Sequence, residues 1–189
     1  MRTLLRIAIA ALLLATLPAP LVLAQTYTRG EAQSAELNAL FSRLSAASSE
    51  AEARQVADAI WRIWTEPDDP VIAARVREII TAGGFAGPAS QLPLIDALVA
   101  DYPDYSEGWN LRATAHFMRG AYEQSLSDIE KALALEPRHF GALSGRALIL
   151  QTQGKYDEAL EAMRKALDIH PWLPERNLFP ELGAPPIRS

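Results

Sequence analysis

Slid 34 residues along itself, the chain meets its own pattern. Pro103 falls on Pro137 and then on Pro171, Ala113 on Ala147, Gly120 on Gly154, Tyr122 on Tyr156, Leu126 on Leu160 and Lys131-Ala132-Leu133 on Lys165-Ala166-Leu167. Glycine, tyrosine, alanine and proline do not hold one offset together by accident. Residues 106–137 and 140–171 are two copies of one unit. A unit of this length is one supersecondary element that cannot bury its apolar side alone, so the chain must stack such elements on one another.

Each copy reads as two helices. In the first, Trp109, Ala113, His116 and Phe117 recur at helical spacing, Gly120 breaks the run, and Tyr122, Leu126, Ile129 and Leu133 form a second apolar stripe. The second copy repeats this with Leu143, Ala147 and Leu150, then Gly154, then Tyr156, Leu160, Met163 and Leu167. Glycine suits the break because it takes positive φ without a steric penalty. Pro137 and Pro171 end the second helices, since the residue before a proline avoids the α region. Ala113, Ala147, Ala132 and Ala166 are small where the two helices of a hairpin come closest.

These units resemble tetratricopeptide repeats, recognised by ring-bearing, small and proline positions at set intervals. The first copy supplies Trp109, Ala113, Ile129 and Pro137 to that pattern, and the second Leu143, Ala147, Ala159, Met163 and Pro171. Departures are Arg112 and Arg146 in a slot that usually holds leucine, His116 and Leu150 for an aromatic, and Ser125 for a small alanine. The two arginines are expected to pack by their stems with the guanidinium in water. The resemblance implies an all-α fold, a right-handed superhelical solenoid of antiparallel helix pairs.

The organisation follows from the repeat outward. Residues 105–138 and 139–172 are the two full repeats, and 67–104 form a degenerate one. Asp69-Pro70 opens its first helix, Gly83-Gly84 closes it, and a small insertion falls around Gly87 to Pro93. Residues 25–66 read as an N-terminal helical hairpin. Leu37, Leu40, Phe41 and Leu44 share a face of its first helix, a capping box at Ser49 to Glu52 opens its second, and Val56, Ile60, Ile63 and Trp64 are that helix's buried side. Such a hairpin is expected to cap the end of the stack beside the degenerate repeat. Residues 173–189 are expected to be a capping stub with a disordered tail from Leu182, and Gln25 to Gly30 are expected to be disordered as well.

Residues 1–24 read as an export signal: Arg2 and Arg6, the apolar run Ile7 to Leu17, Pro18 and Pro20, and compact Val22 and Ala24 before a cut. Eleven apolar residues fall short of the ~20 that span a bilayer, so cleavage after Ala24 is expected rather than anchoring. That removes two arginines and no acid, leaving 165 residues with 16 basic and 23 acidic side chains, a net charge of −7. A bacterial periplasm is the expected location, with secretion or an inner-membrane signal anchor as alternatives. After cleavage no membrane insertion is expected. A net acidic chain without a basic cluster is a poor ligand for nucleic acid or anionic lipid. With no cysteine there is no disulfide, thiolate zinc site or Fe–S cluster.

Nothing in the chain calls for catalysis, a metal or a cofactor. His116, His139 and His170 lack a carboxylate at metal-binding spacing and read as structural, His116 between helices and the others at helix ends favoured by the dipole. Asp157, Glu158 and Glu161, and Asp128 with Glu130, read as solvated helix charges. Trp61 and Trp64 end an apolar stripe and read as packing. The resemblance implies a concave face built from the first helix of each repeat, which places Asn110, Thr114 and Phe117 in line with Ser144, Leu148 and Gln151 one repeat later. This stripe holds no Lys or Arg, so a free carboxylate is not the feature recognised. The expected ligand is a protein or peptide partner, held extended or as a helix by backbone bonds to Asn110 and Gln151 and by contact with Phe117 and Leu148. The function expected is therefore a non-enzymatic interaction module of the cell envelope. The rivals are a subunit of an envelope hydrolase, or an unrecognised hydrolase itself, and a spacer that forms homo-oligomers through an exposed end of the stack.

Overall fold

The computed structural model describes residues 24–83 and 89–185. The expected signal segment up to residue 23, part of the expected insertion near Gly87 and the last four residues lie outside the described residues. Among the described residues eight helices follow in order: α1 Glu31–Ala46, α2 Glu50–Thr65, α3 Pro70–Gly83, α4 Leu92–Asp101, α5 Ser106–Met118, α6 Tyr122–Leu135, α7 Phe140–Thr152 and α8 Tyr156–Ile169. Two short 3-10 turns, Pro174–Leu178 and Pro180–Leu182, close the described chain. The fold is all-α, a tetratricopeptide-like solenoid of antiparallel helix pairs.

Local chemistry sets the helix ends where the sequence puts them. Ser49 Oγ accepts from the Glu52 N–H at 3.3 Å, while the Glu52 carboxylate reaches back to the Ser48 N–H at 3.0 Å. That hydrogen bond holds the Glu52 carboxyl below its ordinary pKa. Asp69 Oδ1 accepts from the Val71 and Ile72 N–H groups at 2.8 and 3.1 Å and so caps α3. Gly120 and Gly154 have φ of 72° and 75°. At each, the following N–H turns back five residues, Ala121 to the His116 carbonyl and Lys155 to the Leu150 carbonyl, both at 2.9 Å. Ser125, in place of the usual small alanine, is buried and donates its hydroxyl to the Ala113 carbonyl at 2.7 Å, tying α6 to α5.

Arg112 is not a stem packer with its head in water. Its guanidinium forms a two-pronged bond to Asp128 on α6 at 2.9 and 2.8 Å and reaches Asp96 on α4 at 3.3 Å, lying 4.7 Å over the Trp109 ring. Asp128, expected to be solvated, is buried beneath it. The hydrogen bonds it donates to Asp128 raise the Arg112 pKa, and one guanidinium joins three consecutive helices. Arg146, in the same slot one repeat later, faces Ala162 where Arg112 faces Asp128, and lies among Glu158, Glu161 and Lys165 in a shallow surface hollow.

The N-terminal hairpin departs from expectation in where it docks. Its buried residues Leu37, Leu40, Phe41, Leu44, Val56, Ile60, Ile63 and Trp64 join one core with Phe140, Leu143, Ala147 and Leu150 of α7 and Met163, Ala166 and Leu167 of α8. Helix α1 touches α8, and α2 touches α3 and α5. The hairpin therefore lies along the edge of the stack formed by the turns between repeats and reaches its far end. The physical reason is on those turns: the Tyr105 hydroxyl donates to the Trp64 carbonyl, His139 stacks on Trp64, and Trp172 Nε1 donates to the Ala47 carbonyl at 3.1 Å.

Gln25 to Gly30, expected to be disordered, are docked. The Gln25 N–H donates to the Asp101 carbonyl at 2.6 Å, Tyr27 sits edge-on to Tyr105 at 5.4 Å, and the Gly30 N–H donates to Asp68 at 2.6 Å. Burial pushes the Tyr27 hydroxyl pKa up to about 12. At the other end Leu173 and Phe179 enter the core, so the C-terminal stub is anchored by apolar contact.

Candidate functional site

Helices α5 and α7 are the first helices of the two full repeats, and small residues at their closest approach leave space between them. Ala113, Ser125, Gly141, Ala142 and Gly145 line a cleft of about 290 Å³, together with Asn110, Thr114, Phe117, Ser144 and Leu148. Five of the six residues expected on the inner face thus share one cavity. Trp61 of α2 and Glu175 of the first C-terminal turn complete its walls. Gln151, the sixth, is not among the lining residues, because its Nε2 donates to the Leu178 carbonyl at 3.0 Å and the C-terminal turn holds it there.

The polar groups of the cleft are partly engaged within the chain. Asn110 is buried, and its Nδ2 donates to both oxygens of Glu107 at 3.2 Å. Its own carbonyl accepts the Thr114 hydroxyl at 2.9 Å, and Ser144 Oγ donates to the Gly141 carbonyl at 3.1 Å. The two hydroxyl oxygens keep lone pairs that can accept from an incoming N–H. Asn110 and Gln151 are not the free backbone readers the sequence suggested.

Behind this cleft lies a buried network that fixes its floor. His139 is fully buried, with Nε2 at 2.8 Å from the Glu107 carboxylate and Nδ1 accepting from the Ala142 N–H at 3.2 Å. Since Nδ1 accepts, the proton sits on Nε2 and the ring donates to Glu107. His139 therefore caps the start of α7 as a neutral imidazole, where a dipole contact would want a cation at a helix end of the opposite polarity. Trp64 stacks on it at 4.0 Å and 9°, and Trp61 packs edge-on against Trp64 at 5.1 Å. His170 also departs from the dipole reading. Burial alone lowers its pKa to about 4, so it is neutral at pH 7 and packs edge-on against Phe140 at 5.2 Å. His116, expected between helices, stands 3.7 Å from Asp128 across α5 and α6.

A second cleft of about 210 Å³ adjoins the first. It is lined by Glu50, Arg54, Asp58, Trp61, Phe140, His170, Trp172 and Glu175 among others, and shares Trp61, Gly141, Ser144 and Glu175 with its neighbour. Sequence reasoning missed this half, because it depends on α2 crossing to α7. The two together form an open channel over the first helices, walled by rings and small side chains. That arrangement can hold a segment of another chain by shape and hydrogen bonds, with apolar contact on both sides.

Stacked helix hairpins with an open face define a helical-repeat interaction scaffold. The chain belongs to the tetratricopeptide repeat family. A tetratricopeptide repeat family model matches residues 122–172, from the start of α6 to just past the end of α8. A TPR repeat-containing protein of Rhizobium etli is 36% identical over 167 residues, 85% of this chain and 82% of that one. The small glutamine-rich tetratricopeptide repeat-containing protein 2 of Saccharomyces cerevisiae is 41% identical over 58 residues, 31% of this chain and 17% of that protein. Sperm-associated antigen 1 of Rattus norvegicus is 40% identical over 63 residues, 33% of this chain and 7% of that protein. Repeats of this family generally mediate protein–protein interaction.

Proposed function

We propose that this chain is a non-enzymatic adaptor of the bacterial cell envelope that holds a peptide segment of a partner protein in the channel over α5 and α7. One observation supports the reading above the rest: Asn110, Thr114, Phe117, Ser144 and Leu148, drawn from two repeats at one offset, line a single cleft. A groove made by repetition favours a ligand that runs across repeats, and an extended or helical segment does so. The envelope reading is supported by the Arg-bearing, apolar head that precedes Gln25, and the periplasm is the proposed location.

The test is a photo-crosslinking residue introduced at Leu148 in cells. A crosslink to one partner protein that disappears with Thr114→Trp, which fills the cleft, supports the groove. A partner retained equally by Thr114→Trp and by Phe117→Ala refutes it. Location is read separately by protease access in cells with a permeabilised outer membrane, and a chain shielded there refutes the periplasmic placement.

A further inference from the structure

The channel is lopsided in charge. Its ionisable lining residues are Glu50, Arg54, Asp58, His170 and Glu175. Arg54 is already bonded to Glu50 at 2.6 Å. His170 carries no charge at pH 7, its pKa being about 4 through burial. Among the described residues Asp58 and Glu175 form no ion pair, so the lining presents two uncompensated carboxylates and no free cation. Glu175 stands where the two clefts meet, and its Oε2 is shut off from solvent with no hydrogen-bond donor. No donor of the chain reaches the other carboxylate oxygen either, and since Glu175 is partly exposed, that oxygen is the one an arriving cation can meet. Beside it stand the partly exposed rings of Trp61 and Trp172, with Phe140 buried beneath. Indole and phenyl faces attract ammonium and guanidinium groups and give their apolar stems something to pack on.

We propose that the segment taken by the channel carries a lysine or arginine whose cationic head meets Glu175 beside Trp61 and Trp172. This rests on the groove reading above and adds its specificity. The remainder of the segment lies over Ala113, Gly145 and Leu148, where Thr114 and Ser144 can accept its backbone N–H groups. Small or aliphatic side chains fit there. Acidic segments are rejected, because Asp58 and Glu175 would face like charge while Arg54, the lining's one permanent cation, is already paired with Glu50.

Peptides selected from a random dodecapeptide phage library on the purified protein supply the probes. Their affinities are then measured by anisotropy on wild type, Glu175→Gln, Asp58→Asn and Thr114→Trp. The expected result is a Lys or Arg at one fixed place in the selected peptides. Its replacement by Gln should weaken binding roughly tenfold or more, and Glu175→Gln should erase that difference. Asp58→Asn, on the exposed rim, should weaken all basic peptides by a few-fold and more so at low salt. Peptides that need the cleft, as judged by loss with Thr114→Trp, but show no basic preference overturn this inference and leave the groove reading intact. A library whose binders all ignore Thr114→Trp, or that yields none, overturns the groove reading and this inference with it. If Glu175→Gln fails to melt cooperatively, Asp58→Asn and the salt dependence carry the comparison.

Discussion

Two glycines four residues apart on α7 separate the observed docking of the N-terminal hairpin from any stack in which it sits elsewhere. A Cβ built on Gly141 would stand 2.6 Å from Trp61 Cη2 and 2.8 Å from Cζ2, whereas one on Gly145 meets nothing nearer than Ile129 Cδ1 at 3.8 Å. Helix propensity alone favours alanine over glycine by up to ~1 kcal/mol at either place. At Gly141 that gain is opposed by overpacking of about 1–3 kcal/mol, because Trp61 cannot simply withdraw. Its ring is held edge-on by Trp64 at 5.1 Å, Phe140 at 5.5 Å and His139 at 5.6 Å. Gly141→Ala should therefore destabilise by about 1–2 kcal/mol, lowering Tm by about 2–8 °C for a domain of this size. Gly145→Ala should stabilise by up to ~1 kcal/mol. Urea unfolding followed by far-ultraviolet circular dichroism reads both. In a Trp61→Leu background the penalty at Gly141 should vanish, as a clash with the indole requires. If Gly141→Ala stabilises as much as Gly145→Ala in the native background, α2 does not lie on α7 and the second cleft does not exist.

Other substitutions test other joints. Gly154→Val places a β-branched residue at a φ of 75° and should cost more than ~1 kcal/mol by thermal melting, although no neighbour obstructs its Cβ. Asp128→Asn leaves Arg112 without its two-pronged partner and should cost about 3 kcal/mol in urea, with Asp96→Asn, at the exposed end of the same network, costing under ~1 kcal/mol. Acid should destabilise the protein through His170. Its folded pKa of about 4 lies below the ordinary 6.5, so the unfolded chain binds the proton more tightly. This contribution is complete above pH 6.5 and is lost as pH falls towards 4, by up to ~3 kcal/mol. Comparing Tm against pH for wild type and His170→Phe isolates it, and parallel curves between pH 4 and 7 would refute the assignment.

The helix pairs were legible because their determinants are local. Glycine after a helix, proline at its end and alanine at the crossing act within one hairpin and repeat at 34 residues. Asp69 and Ser49 capped the helices they precede for the same reason. Arg112 was misread because its meaning lies in Asp96 and Asp128, each 16 residues away and on a different helix. A single slot shared with Arg146 suggested a shared role, yet position 162 is alanine where position 128 is aspartate. Repetition in sequence constrained the backbone and left the polar partnerships free to differ.

The hairpin's docking left a trace that periodicity could have found. Two residues after each repeat proline stand Tyr105, His139 and Leu173, spaced by the repeat length. In a bare stack this place lies on a turn at the edge and faces water. Here all three are buried, at 1%, 0% and 5% exposure. Large side chains that recur at a turn serve something laid across successive turns, and the hairpin lies there, with Trp64 meeting both Tyr105 and His139. The same crossing converts a groove between two helices into a channel with an indole wall. Helix α2 thus walls both clefts as well as part of the core, which follows from Trp61 lining both clefts while its neighbour Trp64 is fully buried. Truncating the hairpin would remove one wall of the channel together with the apolar cover of α7 and α8, so the stability of the stack and the shape of the proposed groove depend on the same hairpin.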